Sequence, residues 1–153
     1  MLGLSSPAGA MPPAEPGSRH RLNPDGLYLS SGVNVGGGLD LEGDQDGLVV
    51  GGEVSIVQLT KNLWYGAYLD TLYMSNREVG RTSLGGEIGL SFVGLEVGYV
   101  AEFGGDDTFH GLRLGGVLTL AAVAIYVRGV ILGNEAARST LELGFLFKIP
   151  VML

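Results

Sequence analysis

From Leu27 to Ile149 the chain repeats one pattern, a large apolar residue followed by a small or charged one. Between Arg81 and Phe92, for example, Leu84, Gly86, Ile88, Leu90 and Phe92 share one parity, and Ser83, Gly85, Glu87, Gly89 and Ser91 share the other. Successive side chains of a strand face opposite sides, so such a stretch is a strand with one oily face and one face of glycine, serine and carboxylate. The oily set is too large for the inside of a narrow barrel, and a water-facing surface made mostly of glycine is unlike that of a soluble protein. Lipid outside and a polar interior account for the pattern.

Composition narrows this further. The 153 residues fit one domain, and a hydrophobic content of 46% excludes a disordered chain. Every apolar stretch is broken by Glu, Asp or Arg before it reaches the roughly 18 residues of a helical span, so any crossing of a membrane is by strands. Glycine supplies 27 residues, with neither a collagen period nor a flexible linker to absorb them. They fall inside the strands, where a missing side chain leaves room for a neighbour. A net charge of −7 repels a phosphate backbone, which argues against nucleic acid as a partner. The absence of cysteine excludes disulfides and thiolate metal sites.

Residues 1–25 are a different material, with Pro7, Pro12, Pro13, Pro16 and Pro24 among small residues and a basic patch at Arg19, His20 and Arg21. The segment is expected to be a disordered leader or processing remnant, without the basic and apolar regions of an export signal. Residues 26–150 are expected to form the barrel.

Turn chemistry divides this region into eight strands, near Leu27–Leu41, Leu48–Leu59, Leu63–Met74, Arg81–Phe92, Leu95–Phe103, Leu112–Leu120, Val123–Leu132 and Thr140–Ile149. Tight turns at Lys61-Asn62, Val93-Gly94 and Ala121-Ala122 alternate with longer polar connections at Glu42–Gly47, Ser75–Gly80, Gly104–Gly111 and Gly133–Ser139. An even strand number with alternating short turns and longer loops is the form of an antiparallel up-and-down transmembrane barrel, its termini on the turn side. Around Val93-Gly94 this register sets Phe92 against Leu95, Leu90 against Val97 and Leu84 against Phe103; around Ala121-Ala122 it sets Leu118 against Ile125. Leu90, Val97, Leu118 and Ile125 are expected to face lipid near mid-membrane.

Counting from the turns places Glu53, Asp70, Glu87, Glu102, Arg113, Arg128 and Glu142 on the inner face in one charged layer, with five acids against two arginines. Such a layer is expected to be a paired network that plugs the lumen, because isolated charges there are expensive. Glu53 and Asp70 fall opposite each other across the first tight turn, so a proton, a cation or an arginine should bridge them. Glu96 and Lys148 are expected to form a second pair near the turn-side mouth, and Trp64 faces the lumen by parity.

In alternation, strand number and connection lengths, Leu27 to Ile149 resembles the small outer-membrane barrels of the OmpA and OmpX type. The resemblance implies a bacterial outer-membrane location, membrane lipid as the surrounding partner, no catalytic residues and no cofactor or metal. It also implies a role in envelope structure or narrow cation-preferring permeability. Two alternatives follow from the same residues. With its apolar face inward the chain would be a soluble lipocalin-like carrier of a small apolar ligand. With His110 beside Asp106 and Asp107, and Ser139 or Thr140 nearby, it would be a lipid-modifying hydrolase. The acidic runs Gly43–Gly47 and Asp106-Asp107 are candidate sites for divalent cations, although no full calcium loop follows.

Overall fold

The computed structural model describes residues 25–41, 46–104, 107–120, 122–133 and 139–153. Eight strands run β1 (Gly26–Asp40), β2 (Asp46–Thr60), β3 (Leu63–Met74), β4 (Val79–Leu90), β5 (Val93–Gly104), β6 (Asp107–Leu120), β7 (Val123–Leu132) and β8 (Ser139–Met152). Each pairs antiparallel with its neighbour in sequence, and β8 closes on β1. Residues 1–24 of the leader, and residues 43–45 and Asp106 of the acidic runs, lie outside the described residues.

The register fixes the shape. Stepping across the ladder from Leu63 to Leu90, Val93, Leu118, Ile125, Phe145, Val35 and Val50, the path returns to β3 at Tyr73, ten residues beyond its start. Eight strands with a stagger of ten imply a tilt of about 41° and a backbone radius of about 8 Å for the usual rise and strand spacing. Such a barrel leaves room for side chains and little else.

The alternation sets the two surfaces as the sequence implies. Leu84, Leu95, Leu112 and Ile131 are each more than 60% exposed on the outside, while Glu142, Arg81, Arg113 and Arg128 are fully buried within. A carrier would need the opposite arrangement. Exposed Tyr65 and Phe147 near the turn side, and Tyr73 and Phe103 near the other rim, flank the apolar band as interfacial aromatics do.

Inward glycines answer to three large side chains. Gly89 and Gly94 pair across β4 and β5, and a Cβ at either would strike the Trp64 indole. Gly85 and Gly98 pair likewise under Tyr68, and Gly36 and Gly144 pair across β1 and β8 under Tyr126. Each ring lies in a socket made by deleting two side chains, so the high glycine content is the counterpart of a few bulky lumen residues.

Four expectations need correction. The β4–β5 turn is Ser91-Phe92, with Ser91 at φ 53°, and not Val93-Gly94; Leu90 therefore meets Val93 and Leu84 meets Tyr99, a slip of four residues that keeps every facing. Gly94 reads as a turn glycine, but its place is beneath Trp64. The Gly104–Gly111 stretch is mostly strand, since Phe103 pairs with Thr108 and Ala101 with His110. It lacks apolar alternation because it rises past the oily band. Finally, β8 runs beyond Ile149 to Met152, where it has outrun β7, so the N–H missing from Pro150 costs no ladder bond.

Candidate functional site

Adjacent rows on a tilted sheet differ in height, so the inward charges form a column and not a single layer. From Lys148 up to Glu102 their Cα positions span about 20 Å along the barrel axis for the usual rise and spacing. Two groups of ion pairs occupy this column.

The turn-side group is built on the two sequence-predicted arginines. Arg128 donates from Nε to Glu96 at 2.8 Å and from Nη2 to Glu53 at 3.0 Å, and its Nη1 lies 3.7 Å from Asp70. One arginine thus reaches both carboxylates that the first hairpin sets opposite each other, Glu53 and Asp70. Arg113 binds Asp70 through Nη1, donates from Nε to the Tyr68 hydroxyl at 3.2 Å and approaches Glu96 at 3.8 Å. Each guanidinium also lies over a socketed tyrosine, Arg113 4.4 Å from the Tyr68 ring centre and Arg128 4.0 Å from that of Tyr126. The glycine pairs place the rings, the rings place the arginines, and the arginines gather the acids. Lys148 completes the group, 2.6 Å from Glu53 and 3.7 Å from Glu87. The expected Glu96–Lys148 pair does not form, because Arg128 takes Glu96 and Glu53 takes Lys148.

The loop-side group centres on Arg81, which is not among the seven lumen charges expected from strand parity. Its Nη2 lies 2.6 Å from Glu102, and its Nη1 binds Glu142 and the Thr140 hydroxyl. Arg77, on the turn between β3 and β4, reaches in to the same Glu102 at 2.9 Å. All seven lumen residues named from the sequence are buried, but with Glu96, Arg77, Arg81 and Lys148 the balance is six carboxylates to five cations, not five to two.

The other candidates separate. Leu90, Val97, Leu118 and Ile125 all face outward, at 66, 55, 41 and 37% exposure. Leu90 flanks the β4–β5 turn, about 13 Å below Val97 along the axis for the usual rise and spacing, and so is not near mid-membrane. His110 lies on the outer face stacked on Tyr99, with 2.6 Å between its Nδ1 and the Tyr99 hydroxyl. The Thr140 hydroxyl accepts from Arg81 inside the lumen, and Ser139 is on β8 with β7 between it and β6, so neither hydroxyl is placed beside His110 as a triad nucleophile would be. Among the described residues no group of three or more His, Asp or Glu is placed to hold a metal ion.

No family model matches the chain, and no curated protein does. Among solved structures, Neisserial surface protein A superposes with a TM-score of 0.55 at 12% identity, covering 80% of this chain and 96% of its own. The N-terminal β-barrel domain of Pseudomonas aeruginosa OprF gives a TM-score of 0.46 at 14% identity, covering 78% and 97%. The attachment invasion locus protein Ail of Yersinia pestis gives 0.25 at 14%, covering 82% and 99%. The fold is that of the small eight-stranded outer-membrane barrels.

Proposed function

We propose that the protein is a non-enzymatic barrel of the bacterial outer membrane that keeps its own lumen closed and serves the structure of the envelope. The observation that carries this reading is the ion-pair column. Large buried side chains occupy a lumen of about 8 Å backbone radius, and each of the six carboxylates and five cations there lies within ion-pair distance of an opposite charge. Burying so many charges is tolerable only when they are paired, and paired arginines leave little for water or solute to occupy. The apolar exterior supports a membrane setting, and His110 committed to Tyr99 supports a role without catalysis.

A second reading, narrow permeability with a preference for cations, rests on the turn-side group. There Glu53, Asp70, Glu87 and Glu96 face Arg113, Arg128 and Lys148, one carboxylate in excess. Any water path past them would favour cations, weakly, because the excess is a single charge.

Envelope fractionation tests the membrane assignment. The whole chain should need detergent for release and run faster unheated than heated on a denaturing gel. Recovery in the carbonate-soluble fraction would overturn it.

A further inference from the structure

We propose that the turn-side mouth of the lumen binds small amphiphilic cations, protonated amines carrying a short apolar or aromatic body. The proposal goes beyond lumen closure and does not depend on whether the barrel conducts.

The mouth holds a cavity of about 150 Å³ whose walls include Trp64, Val57, Val117 and Ala124, with Glu87 and Lys148 as its charged groups. A cavity of that size takes up a molecule as large as benzene. The Trp64 Nε1 is spent on the Ser91 carbonyl at 3.2 Å, so the indole offers only apolar surface to an occupant.

The two charged groups are not equivalent. Lys148 is committed, with its Nζ 2.6 Å from Glu53 and donating to the Ser55 hydroxyl at 3.2 Å. Glu87 is not. Its Oε2 approaches Lys148 only at 3.7 Å, beyond hydrogen-bond reach, and its buried Oε1 has no hydrogen-bond partner. An unmet carboxylate oxygen costs free energy that a charged donor recovers, and the group it belongs to carries one carboxylate in excess. The site therefore lacks one cationic N–H donor, beside apolar walls suited to a small hydrocarbon body.

Trp64 is the only tryptophan in the chain, so its emission reports on this cavity alone. The whole chain, reconstituted in liposomes near neutral pH, is titrated with benzylamine, benzyl alcohol and benzoate, three probes with the same ring and different heads. Benzylamine should give a saturable change with half-saturation about tenfold or more below that of benzyl alcohol, and benzoate should give none. Glu87→Gln, checked for its unheated gel mobility, should abolish that preference. Equal responses to the three probes, a preference for benzoate, an unchanged preference in Glu87→Gln, or no saturable change would each overturn the proposal. If the variant does not fold, the ranking of the probes on the unaltered protein decides.

Discussion

Arg128 holds two carboxylates directly and rests on Tyr126, so its removal leaves buried Glu96 with only the distant Arg113 and Glu53 with Lys148 alone. Arg128→Met should cost ~3–5 kcal/mol of unfolding free energy, and adding Glu96→Gln should recover part of it, because the double variant no longer buries that unpaired charge. Adding Glu87→Gln instead should be nearly additive, since Glu87 is approached by Lys148. Denaturant unfolding of the reconstituted protein measures both cycles. Strand parity made the seven inward charges legible from the sequence, yet it did not reveal who pairs with whom. Arg81 and Arg77 went unseen because each lies at or beyond a strand end by residue count. A long guanidinium stem reaches far from its Cα, and only the packed lumen shows where its head goes.

The β4–β5 hairpin shows how an element can be right in facing and wrong in register. Gly94 beside Val93 is a natural turn signal, and a slip by an even number of residues leaves the apolar face intact, so alternation alone could not expose the error. What decides the register is the fit of Trp64 over Gly89 and Gly94, a tertiary fact. The turn before β7 was legible because the pairing of Leu120 with Val123 continues the same apolar rows on both strands. With no native cysteine to interfere, disulfide trapping tests the register. Leu84→Cys with Tyr99→Cys should crosslink on mild oxidation, as directly opposed residues do. Leu84→Cys with Phe103→Cys should not, its partners being about 13 Å out of step.

At the scale of the whole molecule, tilt turns a sequence position into a depth. Val97 lies well inside the apolar band and Leu90 near the turn-side rim, so Val97→Arg should cost ~2–4 kcal/mol and Leu90→Arg only ~0–1 kcal/mol, read from unfolding in lipid. Equal costs would mean that the two residues share a depth. The barrel, its strand number and its inside-out polarity were all legible in the chain, because a period of two and seven turn signals specify them. The charged column was not, because it depends on stagger between strands, and stagger accumulates from pairings that no single strand encodes. The proposed function has that column close the lumen, and single-channel recording of the purified protein in planar bilayers puts it to trial. The protein should be closed for most of the record, with rare small openings that pass cations in preference to anions. Steady large conductance, or openings selective for chloride, would show that the paired side chains do not fill the barrel.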